Sequence, residues 1–163
     1  MIKYILLSGI VALSALSIQS CKKDQTDPDA DNKLYNEATA SGFTKYQNDS
    51  LLSGASPSPH GSFKLRFNST ATAALDSTGE LPTGNSFPYG SVIVKDVYNG
   101  SDLKLYAVMK KDPSSSNSGS GWLWAEFNPD GSVAFSTGKK GDGCVSCHGG
   151  SPNRDLTRTF DLH

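Results

Sequence analysis

Residues 141–150 read GDGCVSCHGG, with Cys144 and Cys147 three positions apart and His148 directly after the second thiol. Three chemistries use such a set: covalent attachment of haem, tetrahedral binding of zinc, and reversible oxidation of a dithiol. A simple structural disulfide between Cys144 and Cys147 is the plainest alternative in an exported chain. Neither the disulfide nor the dithiol gives His148 a role, and redox dithiols usually open a helix in a βαβ setting. Zinc needs about four ligands, and with Cys21 set aside as a lipidation site the chain offers only His60 and His163 beyond this cluster. Haem uses all three residues at once. Each thiol adds to a vinyl group at the porphyrin edge, and the histidine becomes an axial ligand of the iron. One such motif implies one haem, covalently held.

What the iron can do depends on its other face. Electron-transfer sites close that face with methionine or histidine. Outside the motif and the first residue, the methionine and histidine donors are Met109, His60 and His163. Met109 alternates with Leu103, Leu105 and Ala107 in LKLYAVM, a pattern that reads as core filler. His60, between Pro59 and Gly61, reads as a solvated turn residue, and His163 as a frayed terminus. An iron with one open position is the favoured expectation. A low-spin electron carrier with Met109 as sixth ligand is the rival, and a non-haem lipoprotein with a Cys144–Cys147 disulfide is the other.

The N-terminus indicates where such a site would be made. Lys3 precedes an apolar run from Tyr4 to Ile18, shorter than the ~20 residues a membrane span needs, which reads as an export signal. The run ends SIQSC, so residues 1–20 resemble a bacterial lipoprotein signal with Cys21 as the lipidated residue. Residues 21–31 are polar and read as a tether, which leaves 32–163 as the folded domain. The expected location is the cell envelope, anchored by lipid and facing the periplasm or exterior. A formal net charge of −1 with no basic stripe gives nucleic acid no electrostatic footprint.

The elements that must position the motif read as an α+β domain, mostly antiparallel β-sheet with one long N-terminal helix and a short second one. Asp31 or Asn32 caps a helix running to about Leu52, with Leu34, Tyr35, Ala38, Phe43 and Tyr46 on one arc. SFKLRFN, SVIVKDVY, DLKLYAVMKK, GWLWAEF and SVAFS read as strands. Asn99-Gly100 and NPDG mark hairpin turns. NSTATAALD is a short helix capped by Asn68 or Ser69, and DPSSSNSGSG is an exposed, mobile loop.

FPYGSVIVKDVY, LYAVMKK, GWLWAEFNPDGSV and CVSCHGG, in that order, resemble the cytochrome P-460 family, which includes the cytochromes c′-beta. The resemblance covers Asn32 to Leu162. It implies a small, mostly antiparallel β domain with a single c-type haem and a five-coordinate iron whose proximal ligand is His148. Within the family, one branch oxidises hydroxylamine at a haem cross-linked to a lysine. The other lacks the cross-link and binds nitric oxide under aromatic side chains. Lys95 matches the cross-linking position and interrupts the apolar stripe of Ile93 and Val97; the alternative is a solvated lysine on an exposed face. A hydroxylamine oxidase also wants a distal base, for which Glu126, on the face of Trp122 and Trp124, and Asp142, between two glycines, are the candidates. Phe63, Phe67 and Phe87 are candidate pocket caps or plain core. The implied partners are a small nitrogen-oxide ligand or substrate and a soluble or membrane redox partner, and self-association as a homodimer stays open.

Overall fold

The computed structural model describes residues 26–56, 58–150 and 153–161. The signal segment, Cys21 and His163 lie outside them, as does all of the tether before Thr26.

The first helix, α1, spans Pro28–Thr39. Asp27 caps it by accepting a hydrogen bond from the Ala30 N–H at 3.2 Å, and Pro28 fills the first turn, where its missing N–H is not needed. The cap is therefore Asp27 rather than Asp31 or Asn32, and Pro28–Asp31 of the expected tether are helical. The helix also ends well before Leu52. Ala40 is extended and Gly42 sits at φ +88°, a left-handed conformation that terminates helices. Phe43 and Tyr46 accordingly lie beyond it. Asp31 turns inward instead. Buried, it accepts hydrogen bonds from the Thr137 N–H at 2.8 Å, the Thr137 hydroxyl at 2.7 Å and the Ser136 hydroxyl at 2.7 Å.

Seven strands form one antiparallel sheet: β1 (Thr44–Lys45), β2 (Leu52–Ser53), β3 (Ser62–Phe67), β4 (Val92–Asn99), β5 (Asp102–Lys111), β6 (Trp122–Phe127) and β7 (Val133–Phe135). The order is β1-β3-β4-β5-β6-β7, with β2 also pairing to β3. The α+β expectation holds, and the alternating segments fall on the strands read from them. The short second helix, α2 (Ser69–Thr72), is capped by Asn68, whose side chain accepts from the Ala71 N–H.

Side chains alternate across a strand, so the register sorts them onto two faces. One face carries Val92, Val94, Val108, Leu123, Ala125 and Phe127, packed against Leu34 and Ala38 of α1. Burying a side chain such as Leu34 stabilises the fold by about 1.5–3 kcal/mol. Arg66 and Asp96 close this side with a fork of hydrogen bonds at 2.8–3.1 Å, and Arg66 also reaches the Ala38 carbonyl. On the other face, Phe67, Ile93, Met109 and Trp124 form one cross-strand row, and Leu65, Lys95, Ala107, Glu126 and Phe135 the next. Leu103 is thrown out of phase by an irregularity opposite Val97 and Tyr98, so only Leu105, Ala107 and Met109 keep the expected alternation. The loop after β5 is less free than its composition suggests. Asn117 donates to Asp27, and the Trp124 indole N–H donates to the Gly119 carbonyl at 2.9 Å.

Candidate functional site

The GDGCVSCHGG segment is not an irregular loop. Gly141 and Gly143 sit at φ +70° and +84°, turns that glycine makes without steric cost, and they lead into a one-turn helix, α3 (Cys144–His148). A side chain at Gly141 is excluded for a second reason. Its Cβ would lie against Cδ1 of Trp124, 2.7 Å from Nε1 and 2.8 Å from Cγ. Arg158 holds the far end of the helix through the Cys147 carbonyl at 2.6 Å.

His148 is held along its edge and against its face. Its Nδ1 lies 2.7 Å from the Leu156 carbonyl oxygen. A carbonyl can only accept, so Nδ1 carries the proton and the Nε2 lone pair is left free. Trp124 packs edge-on against the ring, with centroids 4.9 Å apart and planes at 72°. Burial pushes the imidazole down to about 4, against the pull of the Leu156 bond, so at neutral pH it is an uncharged donor of electrons. The carbonyl is delivered by a strained turn: Asp155 and Leu156 have φ of +49° and +67°, each costing about 1–3 kcal/mol. The Asp155 carboxylate anchors that turn, accepting from Lys111 Nζ at 2.7 and 2.8 Å, the Phe87 N–H at 2.8 Å and the Trp122 indole at 3.3 Å.

A cavity of about 330 Å³ opens against this helix, floored by the second face of the sheet. Cys144, Cys147 and His148 share its wall with Phe63, Leu65 and Ile93 of the sheet and with residues of the turn before β3. Lys95 lines it too, its Nζ 4.3 Å from the centre of the Phe63 ring. Burial alone pulls that amine down to about 8. On the other side of Ala107 in the same row stands Glu126, whose carboxyl burial pushes upward. The Cys144 thiol is pushed up to about 11, first by burial and then by Glu126, Cys147 and Asp142 nearby. An exchange-active dithiol needs the opposite shift. Both cysteines are unpaired, and among the described residues no group of three or more His, Cys, Asp or Glu side chains is placed to hold a bare metal ion.

The family model for cytochrome P460 matches residues 33–159. The chain belongs to the cytochrome P460 family. No curated protein matches it. Membership implies a haem cofactor, and the residues present fit one. Haem requires a largely apolar slot, an imidazole nitrogen with a free lone pair and, for attachment, thiols at one edge. The cavity wall supplies all of them from a single turn of helix and its neighbours.

Of the residues singled out from the sequence, Lys95, Glu126, Cys144, Cys147 and His148 converge on this one cavity, and Asp142 stands exposed at its rim. Phe63 is a wall residue, whereas Phe67 and Phe87 are core side chains that do not reach it. Trp124 forms wall and Trp122 is core. Met109 is buried at 8 % exposure between Ile93 and Trp124, in the core and along the cavity. His60 is where the sequence reading fails. It is not solvated: its side chain is 14 % exposed, lines the cavity, and sets Nδ1 3.9 Å from Glu126 Oε1. A histidine between proline and glycine carries no periodic signal, so only the fold reveals where it points.

Proposed function

We propose that the cavity holds a single haem, joined covalently through Cys144 and Cys147 with His148 Nε2 as axial ligand, and that the chain binds or oxidises small nitrogen compounds there. The observation that carries this is the Leu156 bond to His148, which fixes the tautomer and leaves Nε2 as the free donor. Outer partners of this kind orient ligating histidines and raise their basicity. When bound, haem supplies an iron that coordinates a small ligand and exchanges electrons with it.

The chain's own groups supply the rest. Glu126, with its carboxyl pushed up by burial, suits a base that takes protons from a substrate such as hydroxylamine. Lys95 keeps an amine whose uncharged form is accessible near pH 8, on the wall that would face the haem. Phe63, beside that amine, gives nitric oxide an aromatic wall. Export with a lipid on Cys21 would place the domain in the cell envelope, where thioether attachment of haem occurs and a redox partner, soluble or membrane-bound, can dock.

The test is the optical spectrum of the matured protein, ferric and ferrous, with and without nitric oxide, after a check for covalent haem. A broad, red-shifted ferrous Soret band marks a cross-link at Lys95 and hydroxylamine oxidation. An ordinary high-spin spectrum that responds to nitric oxide marks a binding role. A low-spin spectrum indifferent to nitric oxide, converted by Met109→Ala, replaces both with electron transfer. Absence of covalent haem leaves the disulfide lipoprotein.

A further inference from the structure

We propose that His60 is a positioning residue: its imidazole and the Glu126 carboxyl form one pair on the cavity wall, with His60 fixing the orientation of Glu126. The inference deepens the proposed function and rests on its reading of the cavity as the reaction site.

Geometry comes first. His60 reaches the wall from the turn before β3, and Glu126 from β6, far apart in sequence yet with Nδ1 and Oε1 3.9 Å apart. That separation exceeds a hydrogen bond, but apo sites often hold their catalytic bonds long and tighten them on loading. The turn is tied rather than loose. The Gly54 N–H donates to the Gly61 carbonyl at 2.7 Å across its neck, and the His60 N–H donates to the Ser58 hydroxyl at 3.2 Å. Cβ of any residue at Gly54 would lie 2.7 Å from that same carbonyl oxygen, so the neck admits only glycine in this geometry. The turn therefore delivers His60 to one place.

Electrostatics then define the state of the pair. The groups facing His60 are Glu126 from β6, Lys95 from β4 and His148 from α3; Glu126 in turn faces Cys144 of α3. Burial, Lys95 and His148 depress the imidazole to about 4, while burial raises the carboxyl. Both groups are pushed towards their uncharged forms. At neutral pH the contact joins a neutral imidazole to a carboxyl group rather than forming an ion pair. An imidazole N–H aimed at Oε1 leaves the second carboxyl oxygen for the cavity.

The test is a double-variant cycle on the matured full chain: wild type, His60→Gln, Glu126→Gln and both, unfolded in urea between pH 4 and 8. The expected result is a coupling of at least about fivefold in the unfolding equilibrium constant, changing across that pH range. Additive effects at every pH would overturn the pair, and a coupling that does not vary with pH would reduce it to packing. His60→Asn repeats the cycle with a shorter amide should Gln fold poorly. A low-spin spectrum that His60→Gln converts to high spin would also overturn the proposal, since His60 would then sit on the iron. The nitric oxide response of the same wild-type sample reports separately on the proposed function, because the unfolding cycle does not depend on it.

Discussion

The two faces of the sheet are built from the same strands and obey different rules. Towards α1, the pattern is hydrocarbon against hydrocarbon, and its charged pair, Arg66 and Asp96, is joined by three side-chain hydrogen bonds. Towards the cavity, the equivalent rows contain a lysine and a glutamate separated by an alanine, and each is shifted towards its uncharged form by burial. Buried charges are normally paired. Leaving Lys95 against an aromatic ring and Glu126 beside a neutral histidine costs stability, and that cost falls on the face that lines the cavity. One face holds the sheet in shape, and the other uses that shape.

Substitutions on either side test the division. Phe127→Ala, on the helix face, should have the largest effect on stability, about 3–5 kcal/mol in urea unfolding. The absorption spectrum of the matured protein should not move; a spectral change would show that the faces are mechanically coupled. Gly141→Ala strikes the cavity face, where a Cβ meets the Trp124 ring at a left-handed turn. It should cost about 1–3 kcal/mol and alter near-ultraviolet circular dichroism as Trp124 leaves His148. An unchanged aromatic signal would separate the two rings. The third test is a pH dependence. Lys95 binds its proton with a pKa of about 8 when folded and 10.5 when unfolded, so between those values the unfolded chain holds more protons. Stability therefore rises with pH across that window. Lys95→Met in the haem-free protein should flatten the rise and leave it more stable below pH 8. Retention of the wild-type slope would mean that Lys95 is solvated.

The sequence announces the helix face and half of the cavity face. Alternation in SVIVKDVY exposes Lys95 as an intruder in an apolar stripe because the period of a strand is short and local. The CVSCH spacing is local as well. Asp31 misleads as a cap because it has a cap's chemistry, and only the arrival of Ser136 and Thr137 from across the fold turns it inward. His60 and the Leu156 carbonyl are invisible for the same reason. One is a single residue in a turn, the other a backbone atom, and both acquire meaning through partners distant in the chain.

The carbonyl that orients His148 belongs to Leu156, eight positions downstream, and the turn that offers it is moored to Lys111, Trp122 and Phe87 through Asp155. The five residues from Cys144 to His148 are therefore not a portable module. Transplanted into another scaffold, they would carry two thiols and an imidazole free to choose either tautomer. What this chain adds is a fixed answer to that choice, written in a turn eight positions downstream.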